Sequence, residues 1–294
     1  MNRSKCLALA SALFGTLVGL PAYSATPTYT MKLISAGAVH HGAYSLPMSR
    51  LKYSTSGNWS GFGVPYYKSG IQDTFTVVQG AWQVPVVTGG KTPLYSSAWI
   101  GLDGYNDGTV EQTGTEQDWD GKQQQGYVWF EMFPNYAFSI TGFPLNPGDI
   151  MWGQVQYLGS VAHSAGTPEY VFQITIINLT QNVGFVIPTN YTTMPVAPGL
   201  SSAEWIMEAP FFNEILPLAN FGQALFADCQ AVGIGAYSAS RGGAGVLEPI
   251  DFWPIDPLTM QDPEGGKSTP STLTDSLEPD GTTSSAFDVT YTAK

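Results

Sequence analysis

Two short segments far apart in this 294-residue chain carry side chains suited to chemistry in acid: Gln112-Thr-Gly114 and Ala203-Glu-Trp-Ile-Met-Glu208. A glutamate set among aromatic rings loses part of its hydration, so its pKa rises and it exchanges protons in acidic solution. A glutamine does not titrate, so its amide donates a hydrogen bond at any pH. Between and before these segments lie Ser97-Ala-Trp-Ile-Gly-Leu-Asp-Gly104 and Trp129-Phe-Glu-Met-Phe-Pro134. Other chemistries have little to work with. Beyond the first 41 residues the only histidine is His163, with no Cys or His neighbour at metal-ligand spacing, so no metal site is expected. There is no Gly-Xaa-Ser-Xaa-Gly elbow, and a Ser–His or Cys–His system would depend on that one histidine, protonated in acid. Cys229 reads as a small buried apolar residue. Dinucleotide and phosphate-loop fingerprints are absent, and no cofactor is expected.

The elements that must position these residues are strands. Gly (33) and Pro (21) recur too often for long helices. Alternating apolar-rich runs span 75–84, 95–102, 126–133, 149–158, 169–179, 202–208 and 285–292, bounded by Gly, Pro, Asn and Asp. Many short strands without a βαβ rhythm predict an antiparallel sandwich or barrel. Alternation puts Glu204, Ile206 and Glu208 on one face, with Trp205 and Met207 on the other. It likewise groups Tyr127, Trp129, Glu131 and Phe133, and places Gln112 with Gly114 and Glu116. Such an aromatic face with isolated carboxylates suits a substrate groove; an ordinary solvated face with surface glutamates has the same pattern. Residues 25–53 show no strong strand pattern, and 254–283 read as a long exposed loop.

Charge is split along the chain. No Asp or Glu precedes residue 54, whereas from there on six basic residues face all 23 acidic ones, a net of −17. That charge disfavours nucleic acid and anionic membranes as partners. It fits either solubility or life at low pH, where few cations limit positive self-repulsion. Residues 1–24 read as a bacterial-type signal peptide: Arg3 and Lys5, an apolar stretch, then small residues around Ala22. The mature chain would be secreted, extracellular or periplasmic, and Cys229 alone would remain, so no internal disulfide forms. Residues 25–53, carrying Lys32, Arg50 and Lys52, are expected to be a cationic pro-segment that restrains the mature domain, 54–294.

Taken in order and spacing, these motifs, with Asn58-Trp-Ser-Gly61, resemble the glutamic peptidases (eqolisins). The resemblance runs from Gly57 to about Tyr291. It implies an antiparallel β-sandwich of jelly-roll or concanavalin-like form with two large sheets. It also implies a pepstatin-insensitive, acid-acting endopeptidase that takes polypeptide substrates and works as a monomer. Residue by residue, it assigns the catalytic pair to Gln112 and Glu208, and substrate contacts to Trp59, Trp99, Asp103 and Glu131. Periodicity does not choose between Glu204 and Glu208; only the motif match favours Glu208. The chain departs from the family pattern at Phe133, where a tyrosine hydroxyl is lost from the cleft and substrate preference changes. It departs again at Ala209-Pro210 and in lacking the family's disulfides. Two other readings stay open on the residues alone: a jelly-roll glycosidase using two of Glu131, Glu204 and Glu208, and a non-catalytic carbohydrate-binding sandwich.

Overall fold

Alternating β-branched and aromatic residues give the long strands here because each of these buries at least part of one face. The computed structural model describes residues 29–34, 54–65, 73–105, 107–162, 166–278 and 281–292. The signal segment and His163 lie outside the described residues, as does all of 25–53 except 29–34. The first strands are β1 (Thr30–Leu33), β2 (Ser54–Ser56), β3 (Trp59–Pro65), β4 (Asp73–Gln83), β5 (Ser97–Leu102), β6 (Val110–Trp119) and β7 (Gln124–Phe133). There follow β8 (Phe138–Thr141), β9 (Ile150–Val161), β10 (Glu169–Asn178), β11 (Val183–Val186), β12 (Thr193–Met194), β13 (Ser202–Glu208), β14 (Phe211–Phe212) and β15 (Glu214–Ile215). The chain ends with β16 (Gln223–Gly235), β17 (Leu247–Pro249), β18 (Asp256–Gln261), β19 (Lys267–Pro270), β20 (Thr274–Leu277) and β21 (Thr283–Thr292).

Two layers emerge from the pairing. One runs β1–β8–β7–β6–β5–β13–β3–β18. The other runs β21–β16–β4–β9–β10. The expected pair of sheets is joined at one corner, where β19 pairs with both β18 and β21, so hydrogen bonding links 19 strands into one network. Every described pairing between these strands is antiparallel except β18 beside β2, and the isolated bridge of Tyr95 to Leu218 is parallel as well.

Between the layers sits the main core, including Ile100, Phe130, Trp205, Met207, Trp82, Val155, Ile174, Phe226 and Phe287. Truncating a buried aromatic of this kind typically costs about 3–5 kcal/mol. Polar ends of the tryptophans are satisfied across the core. Trp205 Nε1 donates to the Gln79 carbonyl at 2.7 Å, and Trp82 Nε1 donates to Thr115 Oγ1 at 2.8 Å. Cys229 is free and fully buried there, as its sequence context suggests.

Two expectations are corrected. Residues 254–283 are not one long loop, because β18, β19 and β20 form within them and pair with β2, β3 and β21. Their prolines mask the pattern, yet Pro257 and Pro270 both take part in strand pairing. Likewise, 25–53 is not wholly without strand. Residues Thr30–Leu33 pair with β8 through main-chain groups, which need no amphipathic signature.

Candidate active site

Register places the candidate residues in three rungs across the first layer. One rung reads Trp59, Glu208, Ser97, Glu116, Tyr127 along β3, β13, β5, β6 and β7. Two residues further along comes Gly61, Ile206, Trp99, Gly114, Trp129, and then Gly63, Glu204, Gly101, Gln112, Glu131. Because side chains alternate, all three rungs point away from the main core. The sequence reading of β13, β6 and β7 is borne out in this respect: Trp59, Trp99, Trp129 and Ile206 form a separate aromatic cluster with Tyr105 and Leu258.

Glycines make room for that cluster. A Cβ at Gly114 would sit 2.6 Å from Trp99 Cβ and 2.9 Å from the Trp129 ring. At Gly101 it would lie 3.0 Å from Gln112 Cβ and 3.2 Å from the Trp99 ring. The Trp99 indole therefore lies over Gly101, against Gln112. Its other end faces Glu208, where Nε1 donates to Oε2 at 2.7 Å. Trp59 packs edge-on to Trp99, with ring centroids 4.9 Å apart. Gln112 and Glu208 thus flank a single indole.

Each is held from behind. Asn58 Nδ2 donates to Glu208 Oε1 at 3.0 Å, and Ser56 Oγ anchors the Asn58 amide and backbone. Gln112 Nε2 donates to Glu131 Oε2 at 2.9 Å. Trp129 Nε1 donates to Ser97 Oγ at 3.1 Å. Gln112, Glu131, Glu208 and Trp99 have no solvent exposure. Burial pushes the Glu208 carboxyl well above the usual range. Trp99 and Asn58 pull the other way by donating to it, and Trp59 adds to this from beyond hydrogen-bond geometry.

At the other end of β13 the setting differs. Glu204 shares the rung of Gln112, but neither of its oxygens has a hydrogen-bond partner among the described residues. Tyr105 covers it: a Cβ at Gly63 would meet the Tyr105 ring at 3.2 Å and Glu204 Cγ at 3.9 Å. The Tyr105 hydroxyl donates to Asp256, which also accepts Ser54 Oγ at 2.5 Å. Asp103 stands in the left-handed region with φ 68° and accepts the backbone N–H groups of Leu200 and Ser201 at 2.8 and 2.6 Å. Its carboxylate closes a turn. Burial, then the charge of Asp107, pushes Asp103 up to about 7. Phe133 ends β7 opposite Val110, half-buried and beyond the Gln112 rung.

The structure therefore gathers Gln112, Glu208, Trp59, Trp99 and Glu131 around one cluster and sets Asp103 and Phe133 at its margin. Sequence reasoning assigned no role to Asn58, Ser97 or Tyr105, and it placed Trp129 only on the aromatic face. Asn58 had a usable signal, since an asparagine directly before a strand-starting tryptophan can reach the neighbouring strand's end. No group of three His, Cys, Asp or Glu residues that could hold a metal occurs among the described residues.

Comparison with known proteins gives the family and the fold. The family model for the peptidase A4 family matches residues 57–265. Aspergillopepsin-2 of Aspergillus niger is 26% identical over 206 residues, covering 62% of this chain and 66% of that protein, just under two thirds of its length. Scytalido-glutamic peptidase, crystallised with a peptide-based transition-state analog, superposes with TM-score 0.54 at 20% identity, over 80% of this chain and 98% of that one. SCP-B, a member of the eqolisin family in complex with the tripeptide Ala-Ile-His, superposes with TM-score 0.52 at 19% identity over the same shares. At those identities the structural likeness speaks for the fold, and the family match speaks for kinship: this chain belongs to the peptidase A4 family, the glutamic peptidases or eqolisins.

Proposed function

We propose that this protein is a secreted endopeptidase that hydrolyses polypeptides in acid, with Glu208 as general base and acid and Gln112 as oxyanion donor. The observation that carries this reading is the placement of a buried carboxyl and an oriented carboxamide on either side of Trp99, in a chain of this family. As carboxylate, Glu208 takes a proton from a water that attacks the scissile carbonyl; as acid, it then protonates the departing amine. The Gln112 amide stabilises the oxyanion, a contribution on the order of 3 kcal/mol. Glu131 keeps that amide from rotating. No covalent intermediate is needed.

Glu208 is preferred over Glu204 on environment. Directed donors grip Glu208 and offset part of the burial that disfavours its charged form, whereas neither oxygen of Glu204, beneath Tyr105, has a hydrogen bond among the described residues. Trp59 and Trp99 flank the substrate, and the enzyme works as a monomer without metal or cofactor. The test is digestion of a denatured protein near pH 3 with pepstatin, EDTA or a thiol reagent present. Undiminished cleavage in all three is the expected result. Inhibition by EDTA would overturn the metal-free mechanism, and inhibition by pepstatin would overturn the glutamine–glutamate pair.

A further inference from the structure

Register fixes more than the candidate pair. On the groove side of β13, β5 and β6, three rungs form a rectangle with Trp99 at its centre. Glu208 and Gln112 stand at two opposite corners, and Glu204 and Glu116 at the other two. Between the corners lie Ile206 and three small residues, Ser97, Gly101 and Gly114. With strands about 4.8 Å apart and residues about 3.4 Å apart along them, each corner is roughly 8 Å from the centre. A peptide carbonyl stands across the chain that carries it. A scissile carbonyl aimed at Gln112, with its attacking water at Glu208, therefore sets the substrate chain along the other diagonal.

The two ends of that diagonal differ. At Glu204 the Tyr105 ring lies over the groove floor at Gly63, and its hydroxyl donates to Asp256. The loop that carries Tyr105 is pinned, since the Gly104 N–H donates to Asp107 at 2.7 Å and Asp103 accepts Leu200 and Ser201. At the other end the rung of Glu116 continues to Tyr127, which is partly buried and borders a cavity of about 560 Å³. The groove is walled at Tyr105 and leads outward past Glu116.

We propose that the substrate's main chain crosses Trp99 from Tyr105 to Glu116, with Tyr105 limiting side-chain size at one end and Glu116 donating a hydrogen bond to a main-chain carbonyl at the other. This rests on the peptidase reading and deepens it, because it names two residues that select and orient the peptide. An extended chain advances about 3.4 Å per residue, so each contact falls about two to three residues from the scissile bond. Glu116 donates because it is a neutral carboxyl in acid. Burial first, then the charge of Asp118, pushes its pKa well above the usual range. Ser97 pulls the other way from beyond hydrogen-bond geometry, and the charge of Glu208 adds to the rise. The ionised base thus helps to keep its neighbour in the donating form.

The experiment uses the full chain and a peptide with four residues on each side of the cleaved bond, shortened stepwise from either end. Near pH 3, wild type should lose about tenfold in kcat/KM when one particular end is cut below three residues, the worth of one hydrogen bond. Glu116→Leu should start about tenfold below wild type on the full peptide, through KM, and lose nothing at that truncation. Glu116→Gln keeps a donor and should restore the length dependence. Tyr105→Ala should raise the preference for tryptophan over glycine, two or three residues away on the opposite side, by roughly fivefold or more. Calorimetry supplies a readout without hydrolysis: the full peptide should bind Glu208→Gln about tenfold more tightly than Glu208→Gln combined with Glu116→Leu. Equal length dependence in wild type and Glu116→Leu, with hydrolysis by both, would overturn the proposal and leave the peptidase assignment standing. Hydrolysis by none, with binding weakened by Glu116→Leu, would overturn the peptidase reading while upholding the track. Binding indifferent to Glu116 would overturn the track, and an unchanged tryptophan preference in Tyr105→Ala would overturn the wall.

Discussion

Glu208 and Glu204 lie four residues apart on one strand, face the same way and are both fully buried, yet they live in opposite electrostatic settings. Around Glu208 an indole N–H and a carboxamide are aimed at the two oxygens. Around Glu204 burial comes first in pushing the pKa up, the Ser202 hydroxyl pulls the other way from beyond hydrogen-bond geometry, and the charges of Asp103 and Asp107 then add to the rise. Glu111 is raised by the same means, by burial first and then by Asp103 and Asp107. Donors make a buried carboxyl usable in both protonation states. Without donors, the protonated state is the one the fold tolerates. On the proposed mechanism, the Glu208 end of β13 exchanges protons and the Glu204 end holds a neutral acid.

The sharpest way to break this comparison is substitution at each end. Glu208→Gln and Gln112→Ala are each expected to lower kcat/KM by roughly a thousandfold or more, as loss of a general base or an oxyanion donor does. Glu204→Gln should stay within about threefold of wild type. Steady-state kinetics on a peptide near pH 3, with circular dichroism as the folding control, decides it. A dead Glu204→Gln beside an active Glu208→Gln would reverse the assignment along β13, and would move the general base onto the rung of Gln112.

The second contrast is in stability. Asp103 at about 7, with Glu111 and Glu204 raised well above the usual range, bind protons in the folded chain that the unfolded chain has already lost. Asp118, pushed up to about 7 by burial, and Glu116 beside it act the same way. Folded pKa values above unfolded ones mean full stability below the unfolded carboxylate range of about 4, and a decline as pH rises from there through 7. The melting temperature should therefore fall between pH 4 and pH 7. Glu204→Gln or Glu111→Gln, each neutral at every pH, should flatten that fall and raise Tm at pH 7 by a few degrees, on the order of 2–4 °C. Scanning calorimetry at pH 3, 5 and 7 measures it, and a Tm that rises with pH would contradict the protonated cluster.

Part of this contrast was visible in the sequence. Alternation in 202–208 and 127–133 fixes which side chains share a face, because one side of each strand must enter the core. Gln112 and Glu208 stand out because each sits in a short motif within a strand. The difference between Glu204 and Glu208 was not legible, since it depends on partners from other strands: Asn58 and Trp99 at one end, Tyr105 and Asp107 at the other. The partners of Asp103 were not legible either, since its Gly-Leu-Asp-Gly turn says nothing of Leu200 and Ser201, nearly a hundred residues later. The strand at 30–33 escaped notice for a similar reason. Thr-Met-Lys-Leu becomes a strand only through the open edge of β8, and a main-chain template leaves no imprint on side-chain pattern.

A smaller and more specific effect separates gripping from mere burial at the Glu208 end. Trp99→Phe keeps an aromatic ring at this position but removes the N–H that reaches Glu208 Oε2, together with the part of the fused ring that lies over Gly101. That donor favours the charged carboxyl, so its loss raises the Glu208 pKa further. The base form then appears at higher pH. The acidic limb of the kcat/KM profile should therefore move upward, with activity at pH 3 falling about tenfold and recovering partly toward pH 5. Asn58→Ala should move the limb the same way; its bond is longer, at 3.0 Å against 2.7 Å, so the shift should be smaller. Glu204→Gln should not move it at all. A Trp99→Phe enzyme with a uniformly lower rate and an unshifted profile would show that the indole serves only to shape the cluster, and that burial alone sets the state of Glu208.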